Sequence, residues 1–337
     1  EKTCPRRNFD WCYFLKKSCD KARYLKELSR KLFSCKKMLL FRKILRKSKF
    51  LKFSFVPRRY LSFGDQVEEY KHNGVVCLRG CFSQQWVYTV KQGIGKVLNN
   101  PSKYSQTITS DNGKGVYFND YLQWRNINEF QKFIKDSPAP KIAAMLLQEE
   151  EIAFYHEHTF VKESFNESAT PWHHDQAYYP IDGWQNCSLW LPVTSVEEGS
   201  MQFIKGSHKW GKWFAPRYFE TAENYVVEKE GIERHYETMP EINAEEHEIL
   251  SWNMEPGDCL VFHMRVIHGS YAKTATSTSR QTLVTRWLGK DATFAKRPWR
   301  TSPPVQPNDI TLGDLVKNSK DFPVYSVLTG KYINGFQ

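Results

Sequence analysis

From residue 150 onward the chain is cut into short runs of β-branched and aromatic residues, each closed by a turn. The runs are "EIAFYHEHTFVKE", "CSLWLPVTSV", "SMQFIKGS", "GDCLVFHMRVIHGSY" and "RQTLVTRWLG". Many short strands separated by Gly and Pro turns bury their apolar faces in a sandwich or a barrel-like roll. The segment before them reads differently. "SFGDQVEEYKHNGVVCLRG" predicts a helix, a Gly turn and a short strand, and "FSQQWVYTVKQGIGKVLNN" predicts a helix with Ser83 as N-cap. "INEFQKFIKDSPAPKIAAMLLQ" predicts a helical region broken near Pro138 and Pro140. The expected fold is mainly β with flanking helices. No apolar run approaches the ~18–20 residues that cross a bilayer.

Charge divides the chain into two parts. Residues 1–60 carry 20 Lys and Arg against 4 Asp and Glu, whereas the remainder carries 28 against 33. Residues 61–337 thus form the expected globular domain, mildly acidic, and a surface of that sign does not suit nucleic-acid binding, which needs cations where the phosphates lie. Within residues 12–55 the apolar positions alternate with Lys and Arg every three or four residues, a pattern of basic amphipathic helices. Such an extension suits a transit peptide, or docking on a membrane surface or partner, and it lacks the uninterrupted apolar core of a secretory signal. The cysteines match no zinc spacing, and Cys77, Cys187 and Cys259 sit in apolar runs. These features predict an intracellular, reducing location, cytoplasmic or organellar and not secreted.

The segment "TPWHHDQAYYP" places His173, His174 and Asp175 side by side. In an extended chain residues i and i+2 share a face, so His173 and Asp175 project together and His174 turns away. A metal site needs a third donor, and "EPGDCLVFHMRVIHGSY" offers His263 or His268. Two histidines and a carboxylate leave positions open on iron for a keto acid and oxygen. Arg280, twelve residues after His268, supplies a planar fork suited to the distal carboxylate of such an acid.

"WHHD", "GDCLVFHMRVIHGS" and Arg280, together with "CSLWLPVTSVEEGSMQFIKGSHKWG" and "RWLGKDATFAKRPWRTSPP", resemble the phytanoyl-CoA dioxygenase family of Fe(II)- and 2-oxoglutarate-dependent oxygenases. "GVVCLRGCFS" and "DFPVY" extend the likeness over roughly residues 61–330 and leave the basic extension outside it. The resemblance implies a double-stranded β-helix (jelly-roll, cupin-like) core in which His173, Asp175 and His268 bind iron and Arg280 grips 2-oxoglutarate. It further implies that Ser270 adds a hydrogen bond and that Trp190 lines the cofactor pocket, with O2 as co-substrate. Retention of Asp175 excludes the family's halogenase variation and leaves hydroxylation, desaturation or oxidative ring closure.

Other polar residues carry two readings each. His158 shares a strand face with Phe160 and Lys162 and either enters the pocket or packs beside it. Arg286, six positions beyond Arg280, faces inward on a regular strand and either holds an anionic group of the substrate or pairs with an acidic neighbour. His208 is expected on a surface turn, His156 and His263 in structural positions, and Tyr178, Tyr179 and Trp184 in core and loop packing. The expected substrate is a small anionic or zwitterionic metabolite or natural-product intermediate, as for the family's bacterial-type members. An aminophosphonate or acyl-CoA hydroxylase is the alternative within the family. A non-catalytic jelly-roll scaffold with a basic docking tail is the alternative outside it, and it gives no reason for three ligands and an arginine at working spacings.

Overall fold

The structure is a computed structural model that describes residues 63–109, 113–164, 166, 168–197, 200–226, 234–243, 245–270 and 279–336. The chain divides into two compact units, residues 1–59 and 60–337. The basic extension expected over residues 1–60, with its docking or targeting role, lies outside the described residues.

Helix α1 (Phe63–Asn73) leads through Gly74 into strand β1 (Val75–Leu78). Gly74 has φ +81°, and a Cβ there would meet the His208 ring at 2.5 Å, so the turn needs glycine on both counts. Helix α2 (Gln84–Asn99) starts at Ser83 as expected, but the Ser83 side chain makes no capping hydrogen bond. Strands β2 (Gln106–Thr109) and β3 (Val116–Tyr121) follow. Helices α3 (Asn128–Asp136) and α4 (Ala139–Leu147) are separated at Ser137–Pro138, where proline removes a backbone donor. Among the described residues no helix is long and apolar enough to cross a membrane.

The regular elements that follow are strands, apart from three short 3-10 turns. The strands are β4 (Glu151–Lys162), β5 (Thr170–His173), β6 (Ile181–Asp182), β7 (Asn186–Pro192), β8 (Gln202–Ile204), β9 (Ile249–Leu250), β10 (Cys259–Phe262), β11 (His268–Ser270), β12 (Arg280–Leu288), β13 (Thr293–Phe294), β14 (Val324–Ser326) and β15 (Lys331–Tyr332). A nine-stranded sheet runs β1-β10-β7-β12-β4-β14-β15, with β3 and β2 added beside β4. A four-stranded sheet runs β5-β11-β8-β9. The pairings are antiparallel throughout, and sequence neighbours are rarely sheet neighbours, which is the jelly-roll expected from the sequence.

Alternation along the strands sets up two apolar layers. Leu189, Leu191, Leu283 and Trp287 point from the large sheet into a core shared with α2, α3 and α4. Trp190, Leu260, Phe262 and Val284 point the other way and meet Phe203 of the small sheet. The candidate site lies on this second side, between the two sheets.

Candidate metal centre

His173 ends β5 and His268 begins β11, and the two are directly paired across the small sheet. Their rings stand 4.3 Å apart between centroids. The nitrogen Nδ1 of His173 bonds the Pro171 carbonyl at 2.7 Å, and that of His268 bonds the Val266 carbonyl at 3.0 Å. Only a protonated Nδ1 can donate to a carbonyl, so both rings present an Nε2 lone pair. Each Nε2 lies 3.7 Å from the same oxygen, Asp175 Oδ1. The three potential ligand atoms lie within 4.8 Å of one another, and all three residues are buried.

The route to this convergence differs from simple strand alternation. Asp175 is not in β5 but opens a 3-10 turn, Asp175–Tyr178. His174 between them stays extended at φ −123°, ψ 141°, and this keeps its neighbours on one side. His174 points away, and its Nε2 accepts the Phe214 backbone N–H at 2.9 Å. Burial pushes the His174 and His268 imidazoles down to about 3, so both stand neutral at physiological pH. Burial alone would raise the Asp175 carboxyl. Arg286, with smaller help from His173 and His268, instead carries it well below the usual carboxylate range.

These residues fit an iron ion. Two imidazoles with their Nδ1 atoms committed to carbonyls, and one carboxylate kept ionised, form a 2-His-1-carboxylate set. The donors sit at a cavity of about 360 Å³ whose walls come from both sheets. At one side Arg280 of β12 donates to the Ser200 carbonyl at 2.8 Å and lies 5.9 Å from the Trp190 ring centre. Among the described residues no carboxylate pairs with Arg280, and burial lowers its guanidinium from its ordinary value. A largely desolvated cation without a counter-ion is a receptor for an incoming carboxylate.

The remaining expected residues fall as follows. Trp190 and His158 line the cavity, with His158 bonded to Asn119 at 3.1 Å and stacked on Phe160. Ser270 does not line it. Its hydroxyl accepts the Thr170 N–H at 3.1 Å, because the β5–β11 register shifts between His268 and Ser270. Arg286 does line it, with one nitrogen 3.3 Å from Asp175 Oδ2. His263 is structural, bonded to the Trp184 carbonyl at 2.8 Å. His208 is buried against the end of α1 rather than on the surface, because its turn packs on Trp184 and reaches the Lys71 carbonyl. Tyr178 and Tyr179 join the cavity wall in addition to packing, whereas Trp184 is exposed.

Several wall residues carried no sequence signal. Arg217 and Phe219 come from a loop pinned over the cavity by the Tyr178 hydroxyl, which donates to the Arg217 carbonyl at 2.6 Å and accepts its N–H at 2.9 Å. Phe219 lies 4.9 Å from His173 between ring centres. Ser188, whose hydroxyl donates to Asp175 Oδ2 at 2.8 Å, was findable: it is two residues before Trp190 and shares its strand face.

Known proteins share this architecture. The carbocyclase SnoK from nogalamycin biosynthesis, titled as α-ketoglutarate-dependent, is similar at 19% identity and TM-score 0.57, over 79% of this chain and 96% of its own. The epimerase SnoN, crystallised with Fe3+, α-ketoglutarate and a nogalamycin, is similar at 14% identity and TM-score 0.59, over 78% and 98%. EctD from S. alaskensis is similar at 16% identity and TM-score 0.52, over 77% and 90%. No individually curated protein matches the sequence. Residues 70–282, more than half of the chain, match the family Phytanoyl-CoA dioxygenase (PhyH). The chain belongs to the phytanoyl-CoA dioxygenase family of iron- and 2-oxoglutarate-dependent oxygenases.

Proposed function

We propose that the protein oxidises a C–H bond of a small anionic or zwitterionic metabolite, with His173, Asp175 and His268 holding Fe(II) and Arg280 holding 2-oxoglutarate. The observation that carries this reading is the meeting of His173 Nε2, His268 Nε2 and Asp175 Oδ1 beside a cavity that also contains Arg280, which pairs with no carboxylate among the described residues. When bound, iron with 2-oxoglutarate and O2 supplies the oxidising equivalents, and 2-oxoglutarate leaves as succinate and CO2.

The chain's own residues orient and enclose. Arg280 fixes the keto acid by its far carboxylate, and Trp190 gives its carbon chain an apolar wall. The loop carrying Arg217 and Phe219 narrows the approach to His173, which keeps water from the reacting centre. The substrate end of the wall joins Arg217 to the hydroxyls of Tyr121, Tyr178 and Ser302, which suits a compact polar molecule with a negative group. A cavity of about 360 Å³ accommodates the keto acid with a small metabolite and does not enclose a whole coenzyme A thioester. That volume favours the small-metabolite reading over the acyl-CoA one.

The test is succinate release with Fe(II), 2-oxoglutarate and a panel of small carboxylates, phosphonates, amino acids and their neutral analogues. At least one panel member should stimulate decarboxylation, and Asp175→Ala should abolish the stimulation. Decarboxylation at background with every member would favour a scaffold. Basic residues 1–60 are proposed to serve docking or targeting, so deleting them should leave turnover within about twofold, the tolerance common for terminal segments.

A further inference from the structure

Arg286 is inward-facing and cationic, which from sequence suggests a substrate contact. Its surroundings give it another task. One guanidinium nitrogen, Nη2, lies 3.3 Å from Asp175 Oδ2, and the same oxygen accepts the Ser188 hydroxyl at 2.8 Å. The other carboxylate oxygen, Oδ1, is the one that faces both imidazoles. Ser188 on β7 and Arg286 on β12 are directly opposite each other in the large sheet. The two histidines stand on the small sheet. The large sheet therefore reaches across the sandwich and takes hold of one oxygen of the carboxylate, while the small sheet supplies the imidazoles.

We propose that Ser188 and Arg286 are positioning residues that hold Asp175 Oδ2 and thereby present Oδ1 alone to the metal. The proposal rests on the metal reading of His173, Asp175 and His268. A carboxylate with both oxygens free can chelate a cation through both and fill a position that the keto acid or oxygen needs. With Oδ2 engaged twice, Asp175 ligates through one oxygen and the remaining positions stay open. Water does not compete for these bonds, since Ser188 is fully buried and Arg286 is 4% exposed. The arginine is itself held in place. Its strand pairs with β7 without a break through Arg286↔Ser188, and the guanidinium lies 5.3 Å from the Tyr179 ring centre.

Charge and positioning make opposite predictions for metal affinity, which allows a clean test. A cation beside a dication repels it, so at a pH where Asp175 is ionised in both proteins, removing Arg286 would tighten metal binding if it acted only by repelling the ion. If it positions Oδ1, its removal loosens binding. The experiment titrates the metal-free full-length protein with Co(II) and follows the visible absorption of the bound ion, without substrate or turnover. Ser188→Ala and Arg286→Met should each bind Co(II) about 10-fold more weakly or worse, the usual scale for loss of an outer-shell partner. Arg286→Lys should recover most of the loss, and thermal unfolding of the metal-free proteins should show that each variant is folded.

Equal or tighter Co(II) binding by Ser188→Ala and Arg286→Met overturns the proposal while leaving the metal site standing. Failure of the wild type to bind Co(II), or unchanged binding in Asp175→Ala, overturns the metal reading itself. If Arg286→Met does not fold, Ser188→Ala decides the question, because it removes one hydroxyl and creates almost no cavity.

Discussion

At the scale of the residue, the site is built from backbone carbonyls as much as from side chains. Pro171 and Val266 each lie two residues before a histidine and take its Nδ1 proton, so ring orientation is set within the strand that carries it. Arg280 has no such internal partner of opposite charge among the described residues. Its replacement by leucine should therefore fall on the keto acid. Truncating one partner of a buried charge pair costs ~2–5 kcal/mol, so Arg280→Leu should raise KM for 2-oxoglutarate at least about 30-fold. The measurement is succinate release against 2-oxoglutarate concentration, with a KM within threefold of wild type as the contrary result. His173 and Asp175 were legible from their spacing, whereas His268 rather than His263 as third ligand, and the task of Arg280, came from the family resemblance. Ser270, which the resemblance placed beside the cofactor, has its hydroxyl accepting the Thr170 N–H, a partner that no spacing in the chain records. The partner of Arg286 was not legible, since Asp175 reaches it from another sheet and no spacing in the chain records that approach.

At the scale of the element, β4 does several jobs along its twelve residues. One edge pairs with β12 over its length, apart from the bulge. The other edge pairs with β14 through Glu151–Ala153 and with β3 through His158–Lys162. Between them Glu157 is fully buried, and its carboxylate accepts the Gln123 N–H at 2.5 Å. Burial lifts the Glu157 carboxyl to about 8, although hydrogen bonds from the Gln123 and Trp124 backbone pull the other way. The native state thus binds a proton that the unfolded chain releases near 4.5, and stability from this group is present below that value and lost as pH rises to about 8. Glu157→Gln should flatten the dependence of Tm on pH across this window and raise Tm at pH 8. Parallel curves for wild type and variant would show that Glu157 is not the group responsible. From sequence the strand itself was plain, as were the helices and the break at Pro138. The bulge and the divided edge were not, because both depend on strands contributed from either end of the domain.

At the scale of the whole molecule, the ligands come from β5, the turn that follows it and β11, so a bound ion ties together segments some ninety residues apart in the chain. A ligand that binds only the folded state stabilises it by about 2.7 kcal/mol at a hundredfold excess over Kd. Saturating Co(II) or Fe(II) under anaerobic conditions should therefore raise Tm by several degrees, and Asp175→Ala should remove the increase. A metal-independent Tm in the wild type would mean that the three residues do not bind an ion in solution. The fold class was legible because strand runs and turns alternate so regularly after residue 150. The depth of the cavity was not, since the Tyr178 hydroxyl and the Arg217 loop meet through backbone atoms that carry no sequence signature.

The direct pairing of His173 with His268 also has a meaning for synthesis on the ribosome. Some ninety residues separate them, so at ~5–20 residues per second the first histidine and the aspartate emerge on the order of ten seconds before the second histidine. During that interval the nascent chain offers an incoming ion only half a cage. A chain halted before β11 cannot trap iron at this site, and loading belongs to the finished polypeptide.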